Sequence, residues 1–210
     1  MGWKQQGGVI AALAILIAGH PAFADPVSAQ TVAGPASSNS FVAADFKVPT
    51  LVETPGFKIV PLGPELVDID FAAYMSSIEH LQQTFTRSTS WPHKDVSSAD
   101  AMKDMQTEQA RFEKRTSFAY AVLTPDGSRE RGCVYVYPSE VEGYDAVVTM
   151  WVTKAEYDAG FDAELYAWAR AWVARDWPFA KVAYPGRSID WPTWDAKVAA
   201  SKGVPNSAFP

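Results

Sequence analysis

RGCVYVYP at Arg131–Pro138 and YDAVVTMWVT at Tyr144–Thr153 are followed by KAEYDAGFDAE at Lys154–Glu164, a helical pattern to Trp177, and KVAY at Lys181–Tyr184. The first two runs are β-branched and aromatic with alternation, and a Glu-Gly turn joins them, so they read as neighbouring strands. The segment from Lys154 leads through a loop into a long helix, and KVAY makes a short returning strand. Strand, loop, helix and returning strand together form a right-handed βαβ unit. Its loop, at the carboxyl end of the first strand, is where such folds place a ligand. Along the helix, Leu165, Trp168, Ala169, Trp172 and Val173 form an inward stripe. Trp177-Pro178 ends it, because the residue before proline avoids helical angles.

Upstream of this unit, Phe57–Pro61 (FKIVP) alternates as a first strand, and Leu62-Gly63-Pro64 stops it. From Leu66 to Gln82, Val67, Phe71, Tyr74, Ile78 and Leu81 recur at helical spacing and predict one helix. Thr84–Val96 is a polar loop carrying Trp91, Pro92 and His93. Ser97-Ser98-Ala99-Asp100 has the spacing of a capping box and opens a second helix to about Arg115. Phe118–Leu123 (FAYAVL) reads as a strand, and Pro125-Asp126-Gly127-Ser128 as a tight turn. Downstream, Trp191 and Trp194 are expected to fold back over an edge, ahead of a polar tail.

The ends of the chain read differently from its centre. Lys4, the apolar run Val9–Ala18 and Ala22-Phe23-Ala24 match a secretory signal peptide cleaved after Ala24. The run is shorter than the ~20 apolar residues of a spanning helix. A secreted or periplasmic location is therefore expected, with no membrane association after cleavage. If the leader is not used, the location is cytoplasmic. Residues 25–55, rich in Ala, Ser and Pro, read as a flexible leader, 56–187 as the domain, and 188–210 as a C-terminal tail.

The chain has 210 residues, of which 48% are hydrophobic and 13% aromatic, enough for one domain with a sizeable core. Its formal net charge is −6, and no basic stripe is visible, which argues against a nucleic-acid partner. The single cysteine, Cys133, sits in an apolar strand and cannot form an intramolecular disulfide. It reads as a small buried hydrophobe rather than a nucleophile. No metal-ligand spacing, nucleophile elbow or Walker loop occurs in the sequence, so no metal is expected.

The order strand, helix, helix, strand, strand, strand, helix, strand resembles the GCN5-related N-acetyltransferase (GNAT) superfamily. The words that carry the resemblance are Pro55–Pro64 (PGFKIVPLGP), Tyr74–His80 (YMSSIEH), Ser90–His93 (SWPH), Gly132–Pro138 (GCVYVYP) and Trp177–Phe179 (WPF). The resemblance covers about residues 55–187 and implies an α+β, three-layer fold. A central mixed, mostly antiparallel sheet would be flanked by helices and truncated at its C-terminal end. The family's sheet splays between two strands that here would be Tyr144–Thr153 and Lys181–Tyr184. The pantetheine arm of acetyl-CoA would lie in the splay and its pyrophosphate on the loop before the helix. Helix N-termini favour such anions.

By the same resemblance the activity is acetyl transfer from acetyl-CoA to a small-molecule or peptide amine. Trp151, Val152, Thr153, Tyr157 and Gly160 would bind the cofactor. Such a transfer needs a base and a proton donor. Glu79 and His80 are the base candidates and Tyr184 the candidate acid. Trp91, His93, Tyr135 and Tyr137 would line the substrate site, although cross-strand packing explains Tyr135, Tyr137 and Trp151 equally well.

Two departures stand out. The family's loop reads Arg/Gln-x-x-Gly-x-Gly/Ala, whereas here only Gly160 matches a motif glycine. Glu156, Asp158 and Asp162, opposed by Lys154 alone, give the local stretch a net negative charge. Ser188–Pro210 is also too short for the helix and two strands the family adds at its end. The alternative reading is a non-catalytic exported binding or interaction protein on the same scaffold. The sequence leaves the oligomeric state unknown.

Overall fold

The structure, a computed structural model, describes residues 40–202. The targeting segment expected at Met1–Ala24 lies outside them. Six strands form one sheet in the order β1–β2–β3–β4–β5–β6. They are β1 (Val52–Glu53), β2 (Lys58–Pro61), β3 (Phe118–Leu123), β4 (Glu130–Pro138), β5 (Ala146–Val152) and β6 (Val182–Ala183). All neighbours are antiparallel except β5 and β6, which are parallel. The helices are α1 (Val67–Met75), α2 (Ile78–Leu81), α3 (Ser98–Glu113), α4 (Lys154–Asp158), α5 (Phe161–Asp176) and α6 (Trp191–Ser201). This is the mixed, mostly antiparallel, three-layer α+β architecture expected.

Alternation sorts the side chains between two cores. Phe118, Tyr120, Val122, Val134, Val136, Val148 and Met150 face α5. Ala119, Ala121, Leu123, Cys133 and Trp151 face α1 and α3. A slip of one residue would exchange these sets, so burial on both faces pins the register. On α5, Phe161, Leu165, Ala169, Trp172 and Val173 are buried, and Trp177 ends the helix in extended conformation.

The helix expected over Leu66–Gln82 is broken. A 3-10 turn at Pro64–Leu66 precedes α1, the Ser76-Ser77 pair separates α1 from α2, and a π-helical turn follows at Gln82–Thr86. The break has a tertiary cause: the Ser77 hydroxyl accepts a hydrogen bond from the Lys154 backbone N–H at 2.8 Å.

The capping box is present as spaced. Ser97 Oγ accepts from Asp100 N at 3.2 Å, and Asp100 Oδ2 accepts from Ser97 N at 3.1 Å. Ser97→Ala is expected to destabilise the fold by about 1 kcal/mol. The urea midpoint should fall with an unchanged slope; an unmoved midpoint would show that the cap contributes nothing.

The leader expected to run to Pro55 is packed from Phe41 onward. Phe41 stacks on Phe179 at 4.8 Å, Val42 is buried, and Phe46 meets Trp177 at 5.5 Å. Arg115, in the left-handed region at φ 58°, donates to Ala43 O and Phe46 O at 2.7 and 2.9 Å. At the other end, Trp191 and Trp194 do fold over an edge, but as part of α6, which Asp190 caps through Thr193 N. Trp194 packs edge-on against Tyr144 at 5.8 Å. Arg87 reaches α6 through a bidentate pair with Asp195 at 2.7 and 2.9 Å. Among the described residues no helix is long and apolar enough to cross a membrane.

Candidate functional site

β5 is paired with β4 along its whole length, from Ala146–Pro138 to Val152–Gly132. Its other edge pairs with β6 only at Ala146–Val182 and Val147–Ala183. Beyond Val147 the two strands part, so the outer edge of β5 from Val148 to Val152 has no strand partner. The divergence follows from the sequence after β6. Pro185 has no N–H to donate, and Gly186 turns the chain at φ 71°. A Cβ at Gly186 would come within 2.4 Å of the Trp191 indole, so this turn requires glycine.

The loop after β5 is built differently from the open loop expected. Thr153 caps α4, accepting from Glu156 N at 3.3 Å. Gly160, at φ 84° with open space before it, then breaks the chain into α5 without any side-chain cap. The local charge also differs from that expected. Arg129 and Arg131 donate to opposite oxygens of the buried Glu156 at 2.7 and 2.5 Å. Arg187 holds Asp162 through its two terminal guanidinium nitrogens, and Lys154 pairs with Asp158 at 2.6 Å. The three carboxylates thus meet four cations, three of them arginines brought from other parts of the fold. Burial alone would raise the Glu156 carboxyl; hydrogen bonds from Arg131 and Arg129 outweigh it and hold the group below the usual glutamate range. The expected net negative loop is therefore corrected: Glu156 and Asp162 are neutralised by arginines distant in sequence, and Asp158 by Lys154.

Glu79 and His80 come together beside this loop. Both line an open cavity of about 390 Å³ with Ser77, Gln83 and Lys154. The His80 ring packs on Tyr157 at 4.8 Å. Burial and the Lys154 charge lower the His80 pKa, against weaker opposing effects of Asp162, Asp158 and the Val152 backbone. The imidazole is consequently neutral at pH 7 and able to accept a proton. Glu79 is exposed. Tyr184 is not brought to them. It lies on the α5 face of the sheet, edge-on to Tyr166 at 5.7 Å, whereas α2 packs on the opposite face. Burial pushes its hydroxyl up to about 12, against the Arg170 charge.

Trp91, Tyr135 and Tyr137 converge on a second cavity of about 300 Å³, between α1, α3 and β4. His93 does not join them; its Nδ1 accepts from Asp95 N at 3.3 Å in the turn before α3. The expected cofactor residues divide. Trp151 is buried toward α1 and α3, donating its indole N–H to Tyr135 Oη at 3.2 Å, while Val152 is buried toward α5. Tyr157 is half exposed, and Thr153 is spent on its cap.

One grouping was not visible in linear spacing. Asp70 on α1 meets Glu130 and Cys133 on β4, and their donor atoms all lie within 4.8 Å of one another. Cys133 Sγ lies 3.0 Å from Glu130 Oε1 and 3.8 Å from Asp70 Oδ1. Burial pushes the Asp70 carboxyl up to about 6 and raises Glu130 well above its usual range, with the Asp70 charge adding to the latter. Burial, then the two carboxylates, raise the thiol. The thiol donates toward both carboxylates.

The parted strands, the helix that follows them and the antiparallel remainder make the architecture GNAT-like. Solved structures of similar fold are acetyltransferases. The ribosomal-protein-S5-alanine acetyltransferase of Vibrio fischeri matches with a TM-score of 0.51 at 12% identity, over 74% of this chain and 82% of that one. A GnaT-family acetyltransferase from Bordetella pertussis gives 0.49 at 18% identity, over 72% and 86%. The ribosomal L7/L12 alpha-N-protein acetyltransferase RimL gives 0.45 at 14% identity over 60% of this chain, which spans 65% of RimL's length. A structure of RimL in complex with Coenzyme A gives 0.47. Neither a family model nor a curated protein matches the sequence.

Proposed function

We propose that this chain is an acyl-CoA-dependent N-acyltransferase, using acetyl-CoA and a small-molecule or peptide amine. The observation that carries the reading is the edge of β5 from Val148 to Val152, which has no strand partner and is followed, after the short helix α4, by the N-terminus of α5, which has no side-chain cap. An extended chain of amide groups fits such an edge, because alternate strand residues turn their N–H and C=O toward it. The residues fit the group: Gly160 leaves open space before α5, and Glu156, Asp158 and Asp162 are each met by a cation. When bound, acetyl-CoA supplies an activated acyl thioester. Backbone groups of Val148–Val152 would hold its pantetheine arm, and the N–H groups opening α5 would face its phosphates.

The remaining work falls to side chains. His80, neutral and at the end of β5, removes the proton from the incoming ammonium, so that the free amine is the attacking species. Glu79 draws the ammonium toward that imidazole. Tyr184, turned to the opposite face of the sheet, is given no part in the transfer.

Calorimetric titration of acetyl-CoA into the full chain tests the reading. Micromolar affinity is expected, weakened about tenfold by Gly160→Glu, which sets a carboxylate before α5. No heat up to millimolar ligand would remove the proposal. His80→Ala should lower transfer to an accepted amine about 100-fold while leaving acetyl-CoA affinity intact.

A further inference from the structure

We propose that the cavity between α1, α3 and β4 is a binding site for a small organic cation, an alkylammonium of about the size of choline. Five aromatic side chains wall it: Tyr74, Phe85, Trp91, Tyr135 and Tyr137. They come from α1, the π-helical turn, the loop before α3, and β4. Tyr135 and Tyr137 lie nearly parallel at 5.8 Å, Phe85 stacks on Tyr135 at 5.8 Å, and Tyr74 tilts on Trp91 at 5.1 Å. Rings in such contact ordinarily close a core. Here they leave about 300 Å³ open between them, the lower end of small-ligand sites.

The polar groups around this space are acidic. Asp70, Asp104 and Glu108 line it, against Arg111 as the single lining cation, and Glu108 Oε1 accepts from that arginine at 2.6 Å. Glu108 Oε2 is buried without a partner. Asp100, Asp104 and Glu108 recur every four residues along α3, a spacing at which like charges repel. Burial and then Asp100 raise the Asp104 pKa; burial raises that of Glu108. Arg111 meets one oxygen of Glu108 alone, so the lining carries more acidic than basic groups. Tyr74 adds an independent sign of a missing ligand. It is 3% exposed, and its hydroxyl has no hydrogen-bond partner although the residue lines the cavity.

The combination selects the ligand. Aromatic faces attract a cation through their quadrupoles, most strongly when the cation is poorly hydrated. A hard metal ion would need a shell of oxygens that these rings cannot provide. A neutral apolar ligand would leave the excess negative charge of the lining without a counter-charge. An ammonium clothed in alkyl groups satisfies both walls at once. This site is defined by binding alone and does not rest on acyl transfer.

Calorimetry on the full chain, without acyl donor, compares choline with its neutral carbon isostere, in which tert-butyl replaces trimethylammonium. Choline is expected to bind at least about tenfold more tightly than the isostere. Asp104→Asn, on a solvent-facing position of α3, and Trp91→Leu should each weaken choline binding about tenfold; Trp91→Tyr, which keeps an aromatic face, should retain most of it. Equal affinity for the two ligands, no binding of choline, or affinity unmoved by Asp104→Asn in a folded variant would overturn the proposal.

Discussion

Replacing Arg131 with Ala is expected to destabilise the protein by about 3–5 kcal/mol. The side chain is 17% exposed and its partner Glu156 is 8% exposed, so neither charge is well served by water. Arg131 joins three parts of the chain. One nitrogen donates to Glu156 Oε2 and another to Gly56 O at 2.9 Å, while the guanidinium lies 3.4 Å from the Phe161 ring centroid. Its loss leaves one carboxylate oxygen buried and unpaired, frees a backbone carbonyl, and uncovers the first buried ring of α5. Arg129 still holds the other oxygen, which places the effect toward the lower end of the range. The double variant Arg131→Met with Glu156→Gln should recover much of the loss, because the cost arises from the stranded charge. Urea midpoints of the two variants decide this. A single-variant loss under about 1 kcal/mol would place the pair among ordinary surface bridges. Glu156, held below the usual range, contributes stability present above the ordinary glutamate pKa and lost as pH falls through its lowered value.

The buried acids on the other face have the opposite pH dependence, and Glu130→Gln should reveal it. Asp70 and Glu130 have native pKa values above their unfolded ones, so between those values the native state binds more protons than the unfolded chain. Stability is then complete below the ordinary carboxylate range and declines as pH rises, first through about 6 for Asp70 and further for Glu130. Each proton withheld corresponds to about 1.4 kcal/mol per pH unit. Glutamine resembles the protonated acid in shape and can still donate toward Asp70. Glu130→Gln should therefore match the parent near pH 5 and exceed its stability above neutral. Parallel thermal-unfolding curves for the two proteins from pH 5 to 9 would sink this account.

What was legible in the sequence was local. Phe118–Leu123 and Arg131–Pro138 read as strands from their own residues, and both are strands within a residue of their expected limits. Ser97 and Asp100 complete a cap using only themselves. The apolar stripe of α5 needed no partner to be read. What was not legible depended on residues far apart. Leu66–Gln82 has an unbroken apolar period, yet Ser77 leaves the helix to receive the Lys154 N–H. Glu156, Asp158 and Asp162 look like an uncompensated acidic loop until Arg129, Arg131 and Arg187 arrive from other elements. Tyr184 was grouped with His80 by its place in the chain order, but the pleat turns it to the other face. Trp91, Tyr135 and Tyr137 were legible as aromatic residues converging on a cleft. Its acidic side, from α1 and α3, was not, since no spacing in a sequence shows which helix face closes over a sheet. Residues 41–49 read as leader by composition. They became part of the core because Phe41, Val42 and Phe46 find Phe179 and Trp177 at the far end of the domain.

The outer strands of the sheet, β1 and β6, are each two residues long, and α6 folds over the β6 side. Such stubs offer little ribbon for a strand of another chain to extend, which is one way proteins avoid edge-to-edge aggregation. The unpaired run of β5 past Val147 is the exception. It is a length of open strand edge in the middle of the sheet's parting, and a stray extended peptide could seat there as readily as a ligand. A ligand seated along that edge, as proposed above, would therefore also work as a guard, keeping one molecule of this protein from capturing the unfolded segments of another.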